Sequence, residues 1–152
     1  MISGFEIVKW IHILMAIVAV GFNASYGIWL ARAGREPDHE LHVLRGVKVL
    51  DDRFANPAYG LLLVTGIWMV AISPFEITEF WILAALVLYA VAVGLGAAAY
   101  TPTLRKQIAV LESEGPASPT FRRLAARGRV VGIVLAVDVV AIVFLMVAKP
   151  TL

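Results

Sequence analysis

Apolar residues dominate four long stretches of the chain, Ile7–Leu30, Ala58–Ser73, Phe80–Ala99 and Val130–Ala148, with polar and charged residues gathered between them. Each stretch reaches or approaches the roughly 20 residues that a helix needs to cross the hydrocarbon of a bilayer. The second is short and extends back to Phe54. The pattern predicts transmembrane helices over about 6–30, 54–73, 78–100 and 129–148. Between the first two, Val43, Val47, Leu50 and Phe54 follow i, i+4, i+7, i+11 and predict a short amphipathic helix that ends before Asn56-Pro57. Leu104, Ile108 and Leu111 predict a second, opened by Thr101-Pro102 and stopped by Gly115-Pro116. Both are expected to lie flat on the inner membrane surface.

These elements make the chain an all-α integral membrane four-helix bundle, a single transmembrane domain over 1–152. Composition agrees: 61% of the 152 residues are hydrophobic and 16% charged, too apolar for a soluble domain of this length. Charge sets the orientation. Arg32, Arg35, Arg45, Lys48 and Arg53 lie in the first long connection, and Arg105, Lys106, Arg122, Arg123, Arg127 and Arg129 in the third, whereas Ser73–Glu79 carries only Glu76 and Glu79. Lys and Arg stay in the cytoplasm, so both termini are expected outside. Trp10, Phe75, Phe80 and Trp81 would mark the outer interface and Trp29, Tyr59 and Tyr100 the inner one. The net charge of +2 thus reports topology and gives no argument for nucleic acid. With no cysteine, disulfides, thiolate metal sites and cysteine nucleophiles are excluded. The first apolar stretch is too long for a signal-peptide core and reads as a retained helix.

Ser3-Gly4-Phe5-Glu6-Ile7 recurs as Ser73-Pro74-Phe75-Glu76-Ile77. Each copy has the S-x-x-E form of a capping box and precedes a span, a basic connection and a second span. The chain therefore reads as two similar helical hairpins, about 1–72 and 73–152, forming a parallel repeat about an axis along the membrane normal. Chance similarity between apolar helices is the alternative.

Asp138 is the most informative residue, an acid within an otherwise apolar span. A carboxylate at the bilayer centre costs about 2.5–3.5 kcal/mol on insertion scales, so it needs a partner, a cavity or a task. Counting about 1.5 Å per residue from the basic end of each span puts Asn23, Thr65 and Asp138 at one level, with Tyr89 slightly further out. The expectation is one polar cluster of Asp138, Asn23, Thr65 and Tyr89, with Gly66 allowing close helix approach. Such bonds can simply hold helices together. An intramembrane acid can also carry a proton at working pH, which proton relays exploit.

His12 lies, on the same count, near the outer interface and outside that cluster. As a haem ligand it would need a second axial group, for which Met69 is the candidate by depth; an interfacial histidine bonded to water or headgroups is the alternative. Asp38-His39-Glu40-Leu41-His42 has oxygen and nitrogen donors but no recognised metal spacing, so no metal site is expected. Neither a Gly-rich phosphate loop nor a Ser-His-Asp set is present, and catalysis is not expected.

Trp10-Ile11-His12, Asn56-Pro57 through Thr65-Gly66, Trp81 and Tyr100-Thr101-Pro102 together resemble a bacterial family of predicted integral membrane proteins with four transmembrane helices and no defined function. More distantly, the helix-one histidine and the proline-to-glycine pattern of helix two resemble oxygen-independent protoporphyrinogen oxidases and copper-resistance membrane proteins. That resemblance implies tetrapyrrole or metal handling. The third helix departs from the oxidase pattern, which includes a lysine and a histidine there: Trp81–Ala99 holds only Tyr89 as a substantial polar group, and only His12 carries over.

Three functions follow. The first is a proton-linked transport or permeation bundle for a small solute, built on Asp138, in a bacterial inner membrane. The second is a haem, tetrapyrrole or quinone-binding redox protein using His12. The third is a non-catalytic accessory or scaffold subunit. Lipid is a partner in each case, and a homo-oligomer or a membrane-complex partner is expected through small residues such as Gly94, Gly96 and Ala97–Ala99.

Overall fold

In a computed structural model that describes residues 2–151, the chain folds as four long helices: α1 (Gly4–Ala33), α2 (Pro37–Ala71), α3 (Phe80–Glu114) and α4 (Pro119–Ala148). All four are long and apolar enough to cross a membrane. At about 1.5 Å per residue they run some 45–52 Å, well beyond a hydrocarbon thickness near 30 Å. The excess projects at the basic end.

Local chemistry sets the ends. The Ser3 Oγ accepts the Glu6 amide at 3.2 Å and Glu6 accepts the Ser3 amide at 2.7 Å, the expected capping box at the start of α1. Gly115, at φ 79°, and Pro116 stop α3 as expected. Ser118 caps α4 by accepting the amides of Thr120 and Phe121, with Pro119 in the first turn. The second S-x-x-E copy behaves differently. Its Ser73 Oγ accepts the Phe75 amide in a turn, and α3 starts only at Phe80. Pro74 follows Ser73 directly and disfavours helical backbone there. The serine-to-glutamate likeness of the two halves therefore does not extend to a shared cap.

The prolines do not break the helices. Both long middle helices pass through a widened π turn, Asp51–Ala55 in α2 and Gly96–Tyr100 in α3, each followed two residues later by proline, Pro57 or Pro102. A proline lacks an N–H and clashes with the carbonyl four residues back; one extra residue in the turn accommodates both defects. The amphipathic segments are thus rigid continuations of the spans, and the expected surface helices are corrected accordingly.

Those continuations build the core. Tyr26, Leu44, Val47, Tyr100, Leu104, Leu111 and Phe121 form one buried cluster at the basic end. Arg45 pairs with Glu112 across α2 and α3 at 2.8 Å. The inward face of α2 is Leu44, Val47, Asp51, Ala55 and Ala58, whereas Phe54, the last residue of the expected apolar stripe, is half exposed and meets Phe22 with ring centroids 5.4 Å apart. Further along, α1 packs against the apolar half of α2, and α3 against α4. The outward faces there, such as Val137, Val140 and Val147, are bare apolar surface suited to lipid. At the far end the Lys149 ammonium sits 4.3 Å from the Phe75 ring centroid, and Phe75 meets Trp81 edge-on. Trp81 is consequently buried and holds the bundle end together, not a lipid anchor as expected; Trp10 and Trp29 remain exposed.

Candidate functional site

The polar groups inside the bundle occupy three levels. Nearest the acidic end, the His12 Nδ1 of α1 lies 2.8 Å from the Thr65 Oγ1 of α2. Gly66 leaves room for the ring, since a Cβ there would stand 3.3 Å from it and make it shift slightly. The Thr65 hydroxyl also reaches the Leu61 carbonyl at 2.6 Å. With its proton on that carbonyl, Thr65 accepts from His12 Nδ1–H, which leaves Nε2 as the ring's free lone pair.

At the middle level the Asn23 amide donates to the Tyr59 phenol and to the Ala19 carbonyl, both at 2.8 Å. The Tyr89 hydroxyl crosses from α3 to donate to the Tyr59 backbone carbonyl at 2.7 Å. Tyr59 is the hub of this level. Asp138 is close enough to Tyr59 to act on it electrostatically. Its Oδ2 is nonetheless buried without a hydrogen-bond partner among the described residues.

The third level is at the π turns. Asp51, only 5% exposed, stands at an inward position where the helical period calls for an apolar residue. The Asn56 amide approaches it at 3.4 Å and Thr101 lies beside it. Tyr26 and Tyr100 are buried in the apolar cluster with Leu44 and Val47, and the Tyr26 hydroxyl has no partner among the described residues.

The expected cluster is therefore redistributed. Asn23 and Tyr89 do meet, through Tyr59; Thr65 instead pairs with His12, about 9 Å along α2 from Tyr59 at the ordinary helical rise. The residue count set Thr65 too near the basic end: it stands beside His12, six residues beyond the Tyr59 that meets Asn23. Asp138 reaches the level but bonds none of its expected partners. Tyr59 and Tyr100 face inward, so Trp10, Trp29 and Phe80 are the exposed residues of the expected belt. Sequence reasoning missed Tyr59 and Asp51, and an acid on the Leu44-Val47 face was the available signal for the second. Among the described residues no group of three or more His, Asp or Glu side chains is placed to hold a metal.

A family model described as predicted integral membrane protein (DUF2269) matches residues 6–150. The chain belongs to that family. Four membrane helices, an all-helical bundle and nearly full-length coverage agree with this membership. No curated protein and no solved structure matches the chain.

Proposed function

We propose that this family member is a proton-linked bundle of a bacterial inner membrane, with both termini outside, in which Asp138 takes up and releases a proton coupled to passage of a small solute. The observation that carries the reading is the unpartnered, buried Asp138 Oδ2. A carboxylate kept to hold helices together would be bonded. Here Asn23, Tyr59 and Tyr89 close their bonds without it, so helix packing does not account for the acid. The Tyr59 phenol, which accepts from Asn23, keeps its own proton for a solvent or substrate bridge toward Asp138. The two hairpins as a parallel repeat would set Asp138 on one side of a shared interface. Small exposed residues such as Gly94 and Ala97 give the surface for a homo-oligomer.

Infrared difference spectra of the purified protein, recorded as pH falls, should show a protonated-carboxyl band that Asp138→Asn removes. Identical spectra for the two proteins would eliminate a titrating Asp138.

A second reading has its own support. Thr65 orients His12 as a second-sphere partner orients a metal-binding imidazole, with Nε2 left to ligate. Met69 lies one turn beyond Thr65 on α2. In this reading His12 and Met69 would hold a haem iron, which would supply electron transfer. Haemin titrated into the protein should then give a Soret band that His12→Ala abolishes; no band at saturating haemin refutes the reading.

A further inference from the structure

The arginines of α4 stand apart from the other cations of the basic end. Arg32, Arg45 and Lys48 each pair with an acid, Glu36, Glu112 and Asp52 respectively. Arg122, Arg123, Arg127 and Arg129 are exposed and pair with none among the described residues. Packing explains the difference. α4 lies against α3 and α1 and does not pack against α2, which carries Asp38, Glu40, Asp51 and Asp52. On α3 the two acids at this end are engaged elsewhere, Glu112 with Arg45 and Glu114 with the Ser118 hydroxyl. The one acid of α4, Asp138, is eleven residues from Arg127, about 16 Å along the axis.

Two features of this surface point to an anionic lipid. The first is an uncompensated pair of like charges. Arg123 and Arg127 are four residues apart, which sets their Cβ atoms about 5–6 Å from each other on one helix face, where like charges repel. An anion between the guanidinium groups removes that repulsion, and phosphate oxygens match guanidinium N–H groups in pairs. The second feature is continuity. Val130, Val134 and Val137 prolong the same face and are all exposed. One side of one helix therefore passes from paired guanidinium groups to bare valine. The passage falls at the hydrocarbon edge. The Tyr100 ring, just past the apolar stretch of α3, lies 3.8 Å from where a Cβ on Gly132 would stand, and the Gln107 amide bonds the Leu124 carbonyl at 3.0 Å. Arg127 stands between these levels, about 4–5 Å beyond Val130 and within a headgroup layer about 5–8 Å deep. Arg123 lies one turn further out, and its long side chain reaches back toward the same layer.

We propose that this face of α4 is a docking site for an anionic glycerophospholipid of the leaflet at the basic end, its phosphate between Arg123 and Arg127 and its acyl chains along Val130, Val134 and Val137. A free phosphate would use the arginines alone and leave the valines unused. A zwitterionic lipid brings its own cation to the guanidinium groups, so the site prefers a headgroup with net negative charge. The site uses no group of the Asp138 reading and stands independently of it.

Native mass spectrometry of the full chain in detergent micelles, titrated with equimolar phosphatidylglycerol and phosphatidylcholine, tests the proposal. The wild type should retain phosphatidylglycerol preferentially. Arg127→Gln should weaken its apparent affinity by about fivefold and the double variant Arg123→Gln/Arg127→Gln by about thirtyfold, the worth of one and two interfacial arginines. Glutamine keeps the helix propensity of arginine, so helix content by circular dichroism should not change. Arg35→Gln, an equal loss of charge in the α1–α2 connection, should leave the affinity as it is. Equal retention of the two lipids by the wild type would overturn the proposal, as would an undiminished phosphatidylglycerol affinity in the double variant. An Arg35→Gln loss as large as that of Arg127→Gln would reduce the effect to net charge and overturn it too. Release of the lipid by inorganic phosphate alone would make the arginines a free-anion site and likewise refute lipid docking.

Discussion

Asp138 and Asn23 are both polar residues inside apolar spans, yet the structure gives them opposite energetic roles. Asn23 makes two good hydrogen bonds, one of them to another helix. Interhelical bonds of this kind are worth about 0.6 kcal/mol on average and up to about 1.7. Asn23→Ala should lower unfolding stability by that order, while Asp138→Leu, which loses no bond, should leave it unchanged or raise it. Steric unfolding traps or denaturant titration in mixed micelles will rank the two, and a larger loss at Asp138 would contradict the assignment. Individual residues were unevenly legible in the sequence. Asp138 stood out because its span is otherwise apolar. Asp51 did not, since it sits in a charged segment and only the helical face it shares with Leu44 and Val47 marks it as inward. The His12 contact was also hidden, because the count for α2 started at Asn56-Pro57, which is not a helix end, and so misjudged the register of α1 against α2.

Helices, in contrast, were largely readable. The four spans, the Ser3 cap and the Gly115-Pro116 stop follow from period, length and capping chemistry. What was not readable is that Asn56-Pro57 and Thr101-Pro102 are passed through and not stops. A π turn shifts the apolar period by one residue, too little to separate from noise in a sequence, and proline ordinarily signals an end. Helix packing at the basic end depends on another local detail. A Cβ at Gly128 would lie 2.5 Å from the Gln107 Nε2, and that amide donates to the Leu124 carbonyl at 3.0 Å. Gly128→Ala should therefore displace a buried amide and cost about 1–3 kcal/mol of stability. Adding Gln107→Ala removes the obstruction and should recover much of the loss. A Gly128→Ala protein as stable as the wild type would show that α3 and α4 do not cross so closely.

At the scale of the whole molecule, packing is divided. The basic end has a conventional hydrophobic core made from helix extensions, while the apolar halves leave broad faces to lipid and keep their polar groups inside. The three polar levels, His12 with Thr65, Tyr59 with Asn23 and Tyr89, and Asp51 with Asn56, run through the interior toward the basic end. The levels stand about 9 and 12 Å apart along α2 at the ordinary helical rise, so in the proposed reading water bridges them, and Asp138 is the acid that takes up the proton. The most direct measurement is decay of an imposed pH gradient in proteoliposomes that enclose a pH-sensitive dye, with the wild type and Asp138→Asn reconstituted to equal density. The account predicts faster decay with the wild type and decay at the protein-free rate with Asp138→Asn. Equal, accelerated decay in both preparations would contradict it.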